Sequence, residues 1–237
     1  GGALPEEELL HLRLSGVRVQ RATELYEEVF SRVCVPDLQP SQLIFSPHLG
    51  PRPGLLLMQT AYSRLLAVIG LIVMAPVMIV IAARVKLSSR GPVLYRQKRV
   101  GMSGKVFTLL KFRSMYDDAE ARVGAVWASK EDARVTPVGR WLRRLRLDEL
   151  PQLVNVLSGE MSLVGPRPER PEFVEVLTEK IPFYPLRLYV KPGITGWAQI
   201  NHDYADSMEE TAVKLEYDLY YVKHVTPALD AYVIFST

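Results

Sequence analysis

Apolar positions concentrate in one unbroken block. Residues 65–83 (LLAVIGLIVMAPVMIVIAA) are 19 positions without a charge, in a chain otherwise as polar as a soluble enzyme. At about 1.5 Å per residue the block extends about 28 Å as a helix, roughly the hydrocarbon thickness of a bilayer. Pro76 lies near its middle, where the missing N–H and the ring clash kink or break a helix. Basic residues flank both ends, Arg52 and Arg64 before, then Arg84, Lys86, Arg90, Arg96, Lys98 and Arg99 after. Positive charge marks the cytoplasmic side, and here both flanks carry it. A helix that enters the bilayer, breaks at Pro76 and returns to the same face satisfies both flanks. A simple span and a buried core helix are the competing readings.

Three regions follow from the pattern. Residues 1–54 read as a helix, a short strand at 17–19, a second helix near 22–32 and a proline-rich connection through Pro36, Pro40, Pro47, Pro51 and Pro53. This segment is too small for its own core and reads as the tail of a longer regulatory domain. Residues 55–87 hold the membrane element. Residues 88–237 mix helices with short strands at 93–96 and 106–111, a cytosol-facing domain of 150 residues, long enough to bury a core. The fold class expected is therefore α+β, mostly helical, membrane-associated, with a re-entrant membrane helix and a few short strands. Residues 168–190 interleave Phe173, Phe183, Tyr184 and Tyr189 with charges and prolines, which suits either the headgroup layer or a soluble core.

Composition narrows the class. A hydrophobic content of 48 % with a net charge of +3 fits a membrane-attached enzyme. The single cysteine, Cys34, excludes an internal disulfide and points to a reducing compartment. Glu6, Glu7 and Glu8 interrupt the first apolar residues, so no signal peptide is expected at the start.

Candidate chemistry lies between residues 134 and 168. Thr136 is a good N-cap and Pro137 suits the first helical position, predicting a helix to about Arg146. Its apolar face is Val138, Trp141, Leu142 and Leu145, and its basic face is Arg140, Arg143 and Arg144. Asp148 and Glu149 then precede Pro151 at the start of a helix over 150–157. Helix dipole and neighbouring cations favour ionised carboxylates, as a nucleophile or metal ligand requires at neutral pH. Capping residues paired with a solvated basic face explain the same spacing equally well. Lys111 and Arg113 follow a predicted strand, and Gly165-Pro166-Arg167-Pro168 is a stiff turn presenting one guanidinium, a natural bidentate phosphate partner. A membrane element beside this basic surface favours anionic lipid or a nucleotide substrate over nucleic acid, which is not expected as a partner.

The ordered segments GPVLYRQKRVG (91–101), FTLLKFRSM (107–115), LDELPQLVNVLSGEMSLVGPRPE (147–169) and VKPGITGWAQIN (190–201) resemble the bacterial sugar transferases, the polyprenyl-phosphate hexose-1-phosphate transferases that begin exopolysaccharide, O-antigen and glycoprotein assembly. The resemblance covers about residues 58–237, and residues 1–54 are similar to the stretch before this domain in longer members. It implies a re-entrant helix broken at Pro76, an Asp148-Glu149 dyad in catalysis and metal binding, and dependence on Mg²⁺. Family members often carry Ser before the breaking proline, where this chain has Ala75. The implied reaction joins the sugar phosphate of a UDP-hexose to Asp148 with release of UMP, then passes it to polyprenyl (undecaprenyl) phosphate. Lys111, Arg113, Arg143 and Arg167 are expected to hold phosphate, with Asp218, a lone acid among aromatics, as a further substrate-binding candidate. The implied location is the bacterial inner membrane, catalytic domain facing the cytoplasm. Oligomeric state, a homodimer included, stays open. The alternatives are an inactive membrane-anchored scaffold and an anionic-lipid-binding module of the same fold.

Overall fold

The computed structural model describes residues 5–41, 53–116, 134–202 and 207–237. Its first described helices are α1 (Glu6–Leu14), α2 (Ala22–Phe30) and the long α3 (Pro53–Ser88). A hairpin of β1 (Leu94–Val100) and β2 (Val106–Phe112) follows, then α4 (Pro137–Arg144), a 3₁₀ turn at Leu147–Glu149 and α5 (Gln152–Ser158). The remainder comprises β3 (Ser162–Val164), α6 (Pro171–Lys180), a 3₁₀ stretch at Tyr184–Tyr189, β4 (Gly193–Thr195), α7 (Trp197–Asn201), α8 (Met208–His224) and α9 (Pro227–Phe235). This is the mostly helical α+β architecture with a few short strands that the pattern predicts.

Helix α3 runs through Pro76 without interruption. The expected break is therefore a local defect: the proline supplies no N–H to the carbonyl of Ile72, but helical geometry continues on both sides. Only 11 % of the most apolar window of α3 is buried, unlike the mostly buried core helix of a soluble domain. Its two halves nevertheless grip the same body. Ala67 joins a cluster with Phe107, Leu109, Val156 and Met161, while Ile81 and Val85 join another with Phe112 and Leu142. Ile69, Ile72, Val73, Ile79 and Val80 stay exposed. The folded domain thus packs against both halves of α3, on either side of Pro76.

The strands are short and local. β1 and β2 pair antiparallel, from Leu94 opposite Phe112 to Val100 opposite Val106. Their connection turns through Ser103 and Gly104, both at positive φ. β3 and β4 pair parallel, Ser162 opposite Gly193 and Val164 opposite Thr195.

The N-terminal segment is docked on α8. Val33 and Val35 are buried in a cluster with Leu177, Ile181, Tyr184, Leu215 and Leu219. The Val33 N–H donates to the Glu216 carbonyl at 3.0 Å, and Arg32 Nε approaches the Glu216 carboxylate at 3.4 Å. Residues 17–19 form no strand, and among the described residues no neighbouring strand pairs with them. The 168–190 aromatics resolve toward the core: Tyr184 is buried, Phe173 and Phe183 pack on the same cluster, and Tyr189 alone of the four is exposed.

Candidate active site

Three elements converge on the Asp148-Glu149 pair. Thr136 caps α4, its hydroxyl accepting from the Gly139 N–H at 2.9 Å. Gly139 lets α4 press against Ser114, since a Cβ there would stand 1.9 Å from the Ser114 carbonyl oxygen. The close approach aims the basic face of α4 inward, and Arg143 Nε donates to Ser114 Oγ at 2.9 Å. After α4 the chain reverses at Arg146, whose φ of 53° is left-handed, and enters the 3₁₀ turn. Leu147 and Leu150 flank the two acids and pack on the cluster of Ile81, Val85, Phe112 and Leu142. The apolar neighbours plug the turn into the body beneath α3, leaving both carboxylates mostly buried.

Strand β2 brings Lys111. Its free edge is satisfied by Asn155 of α5, whose Oδ1 accepts from the Leu110 N–H at 3.0 Å while Nδ2 donates to the Thr108 carbonyl at 2.8 Å. That bracket fixes the lysine, whose Nζ donates to Glu149 Oε1 at 2.8 Å. The turn after β3 brings Arg167, with Nη2 2.6 Å from the same oxygen. Glycines permit the close crossing behind it: a Cβ on Gly165 would lie 2.2 Å from the Lys191 carbonyl oxygen.

The two neighbouring acids have opposite electrostatics. Burial works to raise the Glu149 pKa, but Arg167 and Lys111 override it and hold the carboxyl well below the usual range. Burial raises the Asp148 pKa, Glu149 adds to the rise, and Lys111, Arg143 and Arg167 offset only part of it. Lys111 is lowered by burial and by Arg167, against the pull of both acids. Glu149 is committed to two cations. Asp148, among the described residues, accepts no hydrogen bond and forms no ion pair.

The structure thus gathers Asp148, Glu149, Lys111, Arg143 and Arg167, five of the residues singled out in the sequence. Two others face elsewhere. Arg113 Nη2 donates to the Ser89 carbonyl at 2.8 Å and its hydroxyl at 3.0 Å, so it ties down the C-terminal end of α3 rather than the acidic pair. Asp218 is turned to Arg187, with 2.8 Å between Oδ2 and Nη2, because α8 places it against the 3₁₀ stretch rather than the acidic turn. Both corrections have one cause, since motif position does not reveal which backbone carbonyl or buried counter-ion a side chain meets. Sequence reasoning missed Arg187, Arg99 and Asn155. Arg187 lies among aromatics that suited either the headgroup layer or a soluble core, and Arg99 looked like one more flanking cation.

Mg²⁺ takes oxygen ligands and commonly binds through one or two carboxylates plus substrate phosphates. Among the described residues no group of three or more His, Cys, Asp or Glu converges, so no all-protein cage is built there. The uncommitted oxygens of Asp148 fit the one-carboxylate mode, whereas Lys111 and Arg167 already engage Glu149.

An exposed apolar helix, a domain packed on both its halves and a buried carboxylate beside Lys111, Arg143 and Arg167 are thus brought together. The sequence matches the family described as bacterial sugar transferase over residues 55–237, and the chain belongs to that family. It is 41 % identical over 232 residues to a UDP-N-acetylgalactosamine-undecaprenyl-phosphate N-acetylgalactosaminephosphotransferase of Aeromonas hydrophila, covering 98 % of this chain and 54 % of that protein. It is 45 % identical over 183 residues to the UDP-glucose:undecaprenyl-phosphate glucose-1-phosphate transferase of Escherichia coli (strain K12), covering 76 % of this chain and 39 % of the relative. Against the exopolysaccharide production protein PSS of Rhizobium leguminosarum bv. phaseoli it is 37 % identical over 187 residues, 77 % of this chain and 94 % of that one. The chain spans about half or less of the first two relatives.

Proposed function

We propose that this chain transfers a hexose 1-phosphate from a UDP-sugar to polyprenyl (undecaprenyl) phosphate at the cytoplasmic face of a bacterial inner membrane. The observation that carries the reading is the pairing of a committed Glu149 with an uncommitted, buried Asp148 inside a ring formed by Lys111, Arg143 and Arg167. An Asp148 oxygen attacks the sugar-bearing β-phosphorus of the UDP-sugar. The new bond is Asp148 Oδ–P; the bond broken is that phosphorus to the oxygen bridging to the α-phosphorus, and UMP leaves with that oxygen. A phosphate oxygen of polyprenyl phosphate then attacks the aspartyl phosphosugar, the Oδ–P bond breaks, and Asp148 is regenerated with release of polyprenyl-diphospho-hexose. No proton transfer is obligatory in either displacement.

Glu149 serves as the fixed counter-charge that holds Lys111 and Arg167 convergent on the reacting phosphate. Arg167 supplies a guanidinium to non-bridging oxygens, and Arg143 screens charge at Asp148. Asp148 would hold Mg²⁺ together with substrate phosphate oxygens, where the ion offsets anionic charge. The exposed face of α3 keeps this constellation at the lipid boundary, so a polyprenyl chain reaches it without leaving the bilayer. The two relatives' names carry different sugars, UDP-N-acetylgalactosamine and UDP-glucose, so the donor is assigned at the level of UDP-hexose. The test is turnover of the detergent-solubilised protein with Mg²⁺, polyprenyl phosphate and a panel of UDP-hexoses. UMP release that requires one of these sugars supports the reading, and its absence with every sugar contradicts it.

A further inference from the structure

Behind Arg167 lies a second ion pair that touches none of the reacting groups. Arg187 is 3 % exposed and Asp218 2 %. The guanidinium makes four contacts: Nε and Nη2 lie 3.0 and 2.8 Å from Asp218 Oδ2, Nη1 donates to the Tyr184 hydroxyl at 3.0 Å, and Nη2 also donates to the main-chain carbonyl of Arg167 at 2.8 Å. The last contact joins the buried pair to the active site. On the other side of the same turn, Arg99 Nη1 donates to the Pro168 carbonyl at 3.1 Å, and the Val100 N–H to the Glu169 carbonyl at 2.9 Å. Lys214 of α8 holds the Glu169 carboxylate at 2.9 Å. Two consecutive carbonyls are thus gripped by a buried arginine, Arg187, and a half-buried one, Arg99, and α8 anchors both grips through Asp218 and Lys214.

A turn held this way has one purpose that stability does not require. Replacing a buried ion pair by apolar residues of similar volume is often neutral or stabilising, so a buried pair is weak evidence for a stabilising role. A guanidinium shared between a carboxylate and a main-chain carbonyl instead fixes the position of that carbonyl, and with it the origin of the Arg167 side chain. Phosphate transfer needs such placement, because a misplacement of about 1 Å costs up to about a hundredfold in rate.

We propose that Arg187 and Asp218 are positioning residues for Arg167, holding its main chain so that its guanidinium reaches Glu149 and a bound diphosphate in one geometry. This rests on the reading of the Asp148 site as a phosphate-transfer centre. Lysine at 187 keeps the charge beside Asp218 but lacks the fork that spans Asp218, Tyr184 and the Arg167 carbonyl.

The experiment is a double-mutant cycle on the full chain in detergent, with Arg187→Lys, Arg167→Gln and the pair, read both as affinity for UDP by calorimetry in the presence of Mg²⁺ and as kcat and KM for the UDP-sugar. Melting curves confirm that each variant is folded. Positioning through Arg167 predicts that Arg187→Lys weakens UDP binding and kcat/KM by about tenfold or more in the native background and by less than about twofold once Arg167 is glutamine. Equal losses in both backgrounds, or no loss in either, overturn the proposal. If Arg187→Lys does not fold, Tyr184→Phe, which removes one hold on the guanidinium, replaces it in the same cycle. Coupling to Arg167 then supports positioning, and its absence overturns it. Native protein that binds UDP but turns over no UDP-sugar contradicts the transferase reading alone, since the binding cycle still reports on Arg187.

Discussion

The acidic turn at Leu147–Glu149 and the buried pair on α8 look alike as lists of residues, each a carboxylate facing arginine, yet they are built oppositely. At Asp218 both partners are sealed, with side chains 3 % exposed on each side. At Glu149 the carboxylate is 10 % exposed and Arg167 35 % exposed, so this pair lies open where the other is sealed. The acidic turn also holds a second carboxylate, Asp148, that accepts no hydrogen bond and forms no ion pair among the described residues. The proposals of a brace at Asp218 and a reaction centre at Asp148 rest on this difference.

The largest expected effect falls on Asp148. Asp148→Asn should lower turnover by at least about 10³-fold, because an amide cannot form the covalent bond. Its stability should move the other way. Folding raises the Asp148 pKa, so at neutral pH the ionised carboxylate opposes folding, and the neutral amide removes that penalty. Thermal unfolding should therefore show a melting temperature at or above native; a marked drop would mean that Asp148 is structurally engaged.

Glu149→Gln sharpens the contrast. The Glu149 pKa is depressed by Arg167 and Lys111, so its contribution to stability is present above the unfolded glutamate range and is lost as pH falls through the lower folded value. At pH 7 the amide leaves Lys111 and the partly exposed Arg167 without their anion and should destabilise by about 1–3 kcal/mol, measured by denaturant unfolding. Turnover should fall as well, but by less than for Asp148→Asn. Asp218→Asn tests the sealed member of the comparison: a similar loss of stability is expected, with residual turnover in the folded fraction well above that of Asp148→Asn.

A smaller effect concerns pH. The proposed attack requires an ionised Asp148, and burial raises its pKa, so the acid limb of kcat/KM should lie above the usual aspartate range. Arg143→Gln removes one of the cations that offset the rise and should shift this limb to higher pH. An unmoved limb would mean that Arg143 does not act on Asp148.

Much of this was legible in the chain, and the reasons are local. Thr136 and Pro137 write the start of α4 into the sequence, and the charge-free run at 65–83 announces α3. Asp148, Glu149, Lys111, Arg143 and Arg167 converge because each sits within or beside an element with a clear signature. Asp218 and Arg113 were misplaced because their partners, Arg187 and the backbone at Ser89, lie 31 and 24 residues away and meet them only through tertiary packing. Pro76 was read as a break because a proline's cost is local, whereas the continuity of α3 is decided by packing at both ends.

The central claim is that Asp148 is the idle carboxylate that becomes covalently loaded. The direct measurement is a single-turnover reaction of native protein with Mg²⁺ and the accepted UDP-sugar, without polyprenyl phosphate, followed by UMP quantification and peptide mass analysis. The account predicts UMP release that stops at about one equivalent per enzyme, with a hexose phosphate on the peptide containing Asp148 and none in Asp148→Asn. UMP release that requires polyprenyl phosphate from the outset, with no modified peptide, would contradict it.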